Sequence, residues 1–331
     1  MAHEVETAYY ADRPAWHGVG TVVHGARRWR DAMEIADALW TVEKQPAYAR
    51  VPVLNEDGVG ERYVAMPGRY AVVRTLPDGT PRILGDVGET WTPFQNEAAG
   101  VFLDSLIDSG DLRYESVVVL HGGRRIVLLA RRPQDVTFGD GERIRPYIAL
   151  VNSHDGTLAL SVRNVMTRIV CANTLAVALG EQTPHQWSVR HTGSLSARIT
   201  EARRTLELHD RHADAWTQQM RRLLDQPFSH EQFQTMTNEL FPLDQREDRT
   251  RRDPNLKRRA ELLANWSTTR TVPTGLRATR WGAFNIATEY LEHTQRLRGG
   301  SGPGAAERRF ASAMFGQIHR QRQRVYQLLT R

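Results

Sequence analysis

A short polar run between two apolar segments places the strongest constraint on how this chain folds. The run Asn152–Gly156 separates Tyr147–Val151 from Leu158–Val165, and both flanking segments are rich in aliphatic and β-branched residues. Two such segments joined by a turn that contains Asn, Asp and Gly predict a β-hairpin. The polar side chains then lie at the end of a buried sheet, where they either bind a ligand or hold the turn together.

The second strand of this hairpin alternates between apolar and polar side chains. Leu160 and Val162 are predicted on one face, and Ser161 and Arg163 on the other. Alternation of this kind is typical of a strand with one face on a core and the other in solvent or against a ligand. We therefore expect the face that carries Arg163 to be accessible.

Other elements are predicted on both sides of this hairpin. Leu112–Leu120 and Arg125–Ala130 flank a Gly-rich loop at residues 121–123 and predict a second hairpin. Apolar residues at helical spacing predict three helices, at residues 31–39, 96–109 and 171–180.

The last third of the chain has a different pattern. From Leu195 to Leu223, apolar residues recur at alternating spacings of four and three, which predicts a long heptad-patterned helix. The chain is therefore expected to be α+β, with an antiparallel β-hairpin sheet packed with helices, followed by a mainly helical region. The predicted domains are residues 1–193 and a basic region 194–331, with a flexible linker near 299–304.

Charge is unevenly distributed along the 331 residues. Residues 1–190 have a net charge of −3 and residues 191–331 a net charge of +9. A basic region suits a protein that contacts phosphates. However, 42 of the 44 basic residues are Arg, a skew that a GC-rich genome also produces. Charge alone leaves nucleic-acid binding open.

Enzymatic chemistry has weak support in the sequence. Cys171, with His154 or His191 as a base, is a conceivable nucleophile, but it lies in an apolar stretch where a small buried thiol is expected. The histidines lack the spacing of a zinc site. We therefore expect no catalytic residue, no metal site and no cofactor. Since there is one cysteine, no disulfide forms within the chain.

Arginines next to the predicted hairpins are the best candidates for binding phosphate. The loop His121–Gly123 has no phosphate-loop spacing, but it offers backbone N–H groups beside two guanidinium groups. The predicted nucleic-acid contacts are Arg124, Arg125, Arg163, Arg168 and Arg190.

Seven short motifs between residues 14 and 192 carry a resemblance to a known family. They include Pro93–Asn96, Gly122–Arg125, Asn152–Gly156 and Arg168–Leu175, and the motif residues singled out are Trp16, His17, Asn152, Ser153, His154, Asp155, Asn173 and His191. In this order they closely resemble the phage/plasmid-like protein family that carries domain of unknown function 932. The resemblance covers roughly residues 10–225. Val19 and Ala172 depart from the usual pattern without disturbing it.

The resemblance implies an origin in a mobile element and supplies no activity. The predicted layout of two hairpins and a helix is also similar to the core of single-strand annealing proteins of the Rad recombination-mediator type. The leading hypothesis is therefore a cytoplasmic protein that binds or anneals single-stranded DNA in recombination or replication. We expect no secretory signal and no membrane span, and a homo-oligomer is possible.

Two alternatives stay open. The first is a nucleotide- or nucleic-acid-processing enzyme that uses His154, Asp155 and His191 for acid–base chemistry, which requires the three side chains to converge. The second is a non-enzymatic protein that binds a host factor through the helix at 195–223.

Overall fold

The chain forms two compact units in the computed structural model. The first comprises residues 1–133, 148–163 and 186–205, and the second comprises residues 134–147, 164–185 and 206–331. The structure describes residues 5–11, 21–25, 27–55, 58–105, 113–131, 136–138, 142–168, 174–175, 186–192, 218, 221–244, 253–269, 271–296, 308–309, 312–313 and 316–331.

The strands and helices have the following bounds. The strands are β1 Val5–Ala11, β2 Thr21–Val23, β3 Glu43–Asn55, β4 Gly58–Thr75, β5 Pro81–Gly88, β6 Arg113–Leu120, β7 Arg125–Arg131, β8 Val136–Phe138, β9 Glu142–Ser153, β10 Leu160–Arg168, β11 Thr174–Leu175 and β12 Gln186–Val189. The α-helices are α1 Trp29–Ile35, α2 Asn96–Ser105, α3 His230–Leu240, α4 Pro254–Thr268, α5 Thr274–Arg277, α6 Arg280–Glu289 and α7 Gln317–Thr330.

The larger sheet forms the centre of the first unit. Its strands there follow the order β10-β9-β7-β6-β1-β2, with β12 also paired to β10. Most pairs are antiparallel, while β1 and β2 are parallel. Successive residues of β6 and β7 are buried, including Val117–Leu120 and Ile126–Ala130. Because neighbouring side chains of a strand point to opposite faces, both faces of these strands are covered.

A second sheet of three antiparallel strands, β3-β4-β5, belongs to the same unit. β4 pairs with β5 only from Arg69 to Thr75, whereas it pairs with β3 along nearly its whole length. The outer parts of β3 and β4 therefore extend beyond β5 as a two-stranded ribbon. At the inner end, Val42, Val72 and Leu84 form a small core.

The described helices α3–α7 lie in the second unit and share one apolar core. Phe233, Trp281 and Ile286 are buried there, together with Tyr290 and Val325. Helix α6 continues into one π-helical turn, Tyr290–Thr294. Short β-pairings also occur in this unit, between β8 and the start of β9 and between β11 and the end of β10.

Several sequence predictions agree with this architecture. The helices predicted at 31–39 and 96–109 correspond to α1 and α2, and the hairpin around 121–123 corresponds to β6 and β7. A mixed α and β structure is therefore confirmed. No helix in the described part of the chain has the length and apolar character to cross a membrane.

Two predictions are wrong. Ser161 on β10 is only 4% exposed, so the strand is buried on both faces at this point instead of presenting a polar face. Thr174–Leu175, expected in a helix, forms a strand that pairs with Met166 and Thr167. Strand pairing across the sheet overrides the local helical spacing in this segment.

The predicted heptad helix stays a prediction. Of the range 195–223, only residue 218 and residues 221–223 are described, and these are helical. The linker near 299–304 lies outside the described residues. The proposed boundary at 193/194 also stays a prediction, because residues 193–217 are not described.

Candidate functional site

The polar run between β9 and β10 is buried. Asn152, Ser153 and His154 have no exposed surface. The Asn152 side-chain amide donates to the carbonyl of Phe94 at 2.8 Å, and the backbone N–H of His154 donates to the carbonyl of Arg124 at 2.7 Å. The run therefore joins the segment before α2 to the turn between β6 and β7.

A buried amide fixes the His154 ring. His154 Nε2 and Asn96 Oδ1 lie 2.8 Å apart, while Asn96 Nδ2 donates to the carbonyl of Ala38 at 3.0 Å. Because the Asn96 amide nitrogen is used as a donor, its oxygen must be the acceptor. His154 consequently carries its proton on Nε2. Its Nδ1 is buried and has no hydrogen-bond partner among the described residues.

Burial keeps this imidazole neutral. Loss of hydration, with smaller contributions from the neighbouring His191 and Arg74 and against an opposing effect of Asp155, lowers the pKa of His154 to about 3. The Trp40 ring covers the imidazole, with the two ring centroids 5.3 Å apart. A ring that stays neutral and dry at pH 7 is poorly placed to exchange protons with a substrate.

The neutral His154 predicts a loss of stability in acid. An unfolded chain binds a proton at this residue below about pH 6.5, whereas the folded chain does not until about pH 3. The free energy of unfolding should therefore fall by about 1.4 kcal/mol for each pH unit between these values. Urea unfolding at pH 7, 6 and 5 measures this slope.

A matched pair of variants isolates the contribution of this ring. His154→Gln keeps a side chain that donates to Asn96. It should reduce the dependence of the free energy of unfolding on pH by about 1.4 kcal/mol per pH unit, the contribution of one proton. His230→Gln replaces an exposed side chain and controls for the effect of a His-to-Gln substitution on the free energy of unfolding at pH 7. An unchanged slope in His154→Gln would show that His154 titrates alike in the folded and unfolded chains.

His191 is a second buried imidazole. It stacks on Trp91, with centroids 5.3 Å apart and an angle of 21° between the rings, and its carbonyl accepts from Thr92 N–H at 2.7 Å. Burial lowers the pKa of the His191 ring, against a smaller opposing effect of the Thr92 backbone. Neither ring nitrogen has a hydrogen-bond partner within the described part of the chain.

The Asp155 carboxylate is occupied by its own turn. Burial opposes its ionisation, but hydrogen bonds from Ser153 and Thr157 and the charge of Arg125 outweigh that effect and lower its pKa. The Ser153 hydroxyl lies 2.5 Å and the Thr157 N–H 3.0 Å from Asp155 Oδ1. Gly156 completes the turn at φ = 72°. A carboxylate held in this way acts as a structural acceptor.

The turn between β6 and β7 adopts an unusual backbone. His121, Gly122 and Gly123 have φ values of 54°, 67° and 93°, which are left-handed conformations that glycine accepts at little cost. A Cβ atom on Gly123 would lie 3.0 Å from Arg74 Nη1. Arg82 Nη1 donates to the Gly122 carbonyl at 3.4 Å. Glycine thus lets two guanidinium groups approach the turn closely.

One carboxylate neutralises both of these arginines. Glu6 accepts from Arg74 at 2.6 Å through one oxygen and from Arg82 at 2.8 Å through the other. Arg74 is buried and lies 4.1 Å above the centre of the Trp40 ring, whereas the Arg82 side chain is 40% exposed. Arg74 therefore anchors the network, and Arg82 reaches the surface.

Positive charge exceeds negative charge around the turn. Arg124 is exposed, and no carboxylate forms an ion pair with it in the described stretches. Arg125 lies 3.7 Å from the Asp155 carboxylate. Among the described residues, two carboxylates thus form ion pairs with three of these four arginines, and Arg124 adds a further positive charge. This basic turn is defined as Arg74, Arg82, Arg124 and Arg125 around residues 121–123.

The structure brings together only some of the predicted site residues. Arg124 and Arg125 join the basic turn, and Arg190 is exposed beside the buried His191. Arg163 and Arg168 lie on β10, but their side chains are outside the described residues. Trp16, His17 and Asn173 also lie outside them. No group of three or more His, Cys, Asp or Glu suited to a metal occurs in the described ranges.

Sequence reasoning missed the residues that complete the network. Glu6, Trp40, Arg74 and Arg82 come from distant segments, and no local pattern links them. Asn96 could have been singled out because it is the last residue of the motif Pro93–Asn96, but the sequence did not show that it forms a hydrogen bond with His154.

Comparison with known proteins gives one match. A family model described as "Domain of unknown function (DUF932)" matches residues 83–322. No curated protein and no solved structure matches the chain. The matched range includes Arg124, Arg125 and the buried polar run, whereas Arg74 and Arg82 precede it, and the family description assigns no activity to these residues.

Proposed function

This chain belongs to the DUF932 family, and we propose that it binds single-stranded DNA through the phosphate groups that its basic turn contacts. The exposed Arg124, next to three arginines that pair with two carboxylates in the described part of the chain, carries the proposal. Guanidinium groups bind phosphate oxygens through paired N–H donors, and a surface with unneutralised arginines attracts a polyanion.

The geometry separates the arginines by role. Arg74 is buried and paired, so it supports the turn without reaching a ligand. Arg124 is exposed and Arg82 is partly exposed, so these two are the proposed phosphate contacts. Backbone N–H groups next to left-handed glycines are a further source of donors for an anion.

Single-stranded DNA, and annealing during recombination or replication, is the specific form of the proposal. It rests on the layout predicted from the sequence, which is similar to the core of annealing proteins; the β6–β7 and β9–β10 strand pairs agree with that layout, while residues 174–175 form a strand in place of the predicted helix. The resemblance to phage and plasmid proteins supports a role in a mobile element. The single cysteine supports a cytoplasmic location.

Salt-dependent binding tests the proposal. Fluorescence anisotropy with a labelled single-stranded oligonucleotide should show affinity that falls steeply as salt rises. Arg124→Ala removes about one phosphate contact, so the slope of log K against log salt should fall by about 0.7. At about 0.1 M salt this corresponds to roughly fivefold weaker binding.

Arg113→Ala is the matched control for Arg124→Ala. Arg113 is an exposed arginine at the opposite end of β6, about 23 Å along the strand from the turn. Arg113→Ala should leave unchanged both the affinity for single-stranded DNA and the slope of log K against log salt. No measurable binding at about 50 mM salt, or equal effects of the two substitutions, would refute the proposal.

The enzymatic alternative has less support. His154 and His191 are buried and kept neutral, and the Asp155 carboxylate is bound within its own turn. None of these three side chains is both exposed to solvent and free to act as an acid or a base. The alternative of partner binding through residues 195–223 rests on a helix outside the described residues.

A further inference from the structure

The ribbon formed by the outer parts of β3 and β4 has a surface unlike the rest of the described chain. This ribbon, residues 47–55 and 58–66, is named the arm. Of the eleven large hydrophobic side chains that are exposed in the described residues, seven belong to the arm. They are 38–88% exposed: Tyr48, Val51, Leu54, Val59, Tyr63, Val64 and Met66.

The arm presents apolar groups on both faces. Leu54 is paired directly with Val59, and Tyr63 is paired with Arg50. Because side chains alternate along a strand, these residues share one face with Tyr48, while Val51 and Val64 lie on the opposite face. An isolated two-stranded ribbon is marginally stable in water unless another surface covers it. The exposed area therefore indicates an interaction surface.

The charge of the arm argues against nucleic acid as the partner. In the sequence, residues 47–66 contain two arginines and three acidic residues, a net charge of −1, and two of the acidic residues, Glu56 and Asp57, lie outside the described residues. A surface that binds DNA or an anionic membrane needs a positive excess. An apolar, nearly neutral surface instead fits a protein.

The charge pattern is self-complementary. Arg50 and Glu61 lie on the same face of neighbouring strands, with Arg50 Nη1 3.2 Å from Glu61 Oε1. A two-fold axis between these residues can place the cation of one copy beside the anion of the other, with the apolar side chains of this face, Leu54 and Tyr63 among them, in the interface. We propose that the arm is a dimerisation surface that binds the arm of a second copy of this chain.

Reciprocal charge variants test this pairing in the full chain. The unmodified protein should sediment at twice its 37.6 kDa mass. Arg50→Glu places acid against acid between copies, and Glu61→Arg places base against base, so each variant alone should sediment as a monomer. An equimolar mixture of the two should recover the dimer, because only unlike chains then attract.

Apolar variants provide an independent measurement. Leu54→Asp should produce a monomer, whereas Ile83→Asp, at an exposed apolar position on β5, should leave the dimer intact. Circular dichroism verifies that each variant is folded, which exposure of the mutated positions favours.

Three results would overturn the inference. They are a monomeric unmodified protein, single variants that remain dimeric, and a mixture that fails to associate. If the variants kept their mass but lost single-stranded DNA binding, the arm would be a nucleic-acid surface instead. All mass measurements are made without DNA, so failure of the proposed DNA binding leaves this test unaffected.

Discussion

Glu292→Ala should destabilise the helical unit by about 3–5 kcal/mol. The Glu292 carboxylate forms an ion pair with Arg322, and neither side chain is more than 2% exposed. Arg322 also donates to the Ala313 carbonyl at 2.7 Å, so the guanidinium is fixed in the interior. Removal of the Glu292 side chain takes a carboxylate away from a buried cation, and the loss of that compensation gives the large expected effect.

Native-state hydrogen exchange of the full chain measures this effect. The amides of the π-helical turn 290–294 and of α7 should open about 3–5 kcal/mol more easily in Glu292→Ala. Adding Arg322→Met should restore much of the stability, because the double variant removes the buried cation together with its carboxylate partner.

An exposed ion pair provides the control for Glu292→Ala. Glu239 lies 3.3 Å from Arg331, and its side chain is 47% exposed. Glu239→Ala should cost less than about 1 kcal/mol, as is usual for exposed pairs. Equal losses for Glu239→Ala and Glu292→Ala would show that the Glu292–Arg322 pair is hydrated rather than buried.

Gly85→Ala should destabilise the first unit by about 3 kcal/mol, the upper part of the range for overpacking. A Cβ atom on Gly85 would lie 2.4 Å from the Asp155 Cα and 2.8 Å from its carbonyl carbon. Both are backbone atoms of the buried polar run, so no flexible side chain can move aside. Either β5 or the 152–157 turn must shift.

Gly88→Ala is the control on the same strand. A Cβ atom on Gly88 would meet nothing within 4 Å, so this substitution should be neutral or slightly stabilising. Thermal unfolding of the two variants, followed by circular dichroism, gives the comparison. If Gly85→Ala and Gly88→Ala had the same midpoint, the close approach of β5 to the polar run would be wrong.

Local sequence patterns predicted much of the architecture. Apolar spacing identified α1 and α2, and turn residues at 121–123 and 152–156 identified both hairpins. The alternation of apolar and polar residues around Ser161 predicted a solvent-facing side of β10, but Ser161 is buried. A small hydroxyl side chain is tolerated in a buried sheet as well as in solvent. The apolar spacing around Thr174–Leu175 predicted a helix, whereas these residues pair with β10. That pairing is a tertiary contact and leaves no mark in the local sequence pattern.

The candidate site was predicted only in part. Arg124 and Arg125 were found because they adjoin a glycine turn that is visible in the sequence. Their environment was not predictable, since Glu6, Arg74 and Arg82 reach the turn from other strands. The run 152–155 invited a catalytic interpretation from its composition, whereas its role follows from burial and from the amide of Asn96.

The central claim is that the buried run supports a turn whose exposed arginines bind DNA. Anisotropy with single-stranded DNA at neutral pH, on the folded Arg124→Ala and His154→Gln proteins, tests it most directly. We predict roughly fivefold weaker binding and a reduced salt slope for Arg124→Ala, with binding by His154→Gln equal to that of the unmodified chain. Loss of binding in folded His154→Gln, with Arg124→Ala unaffected, would contradict the claim and make the histidine itself the ligand-binding group.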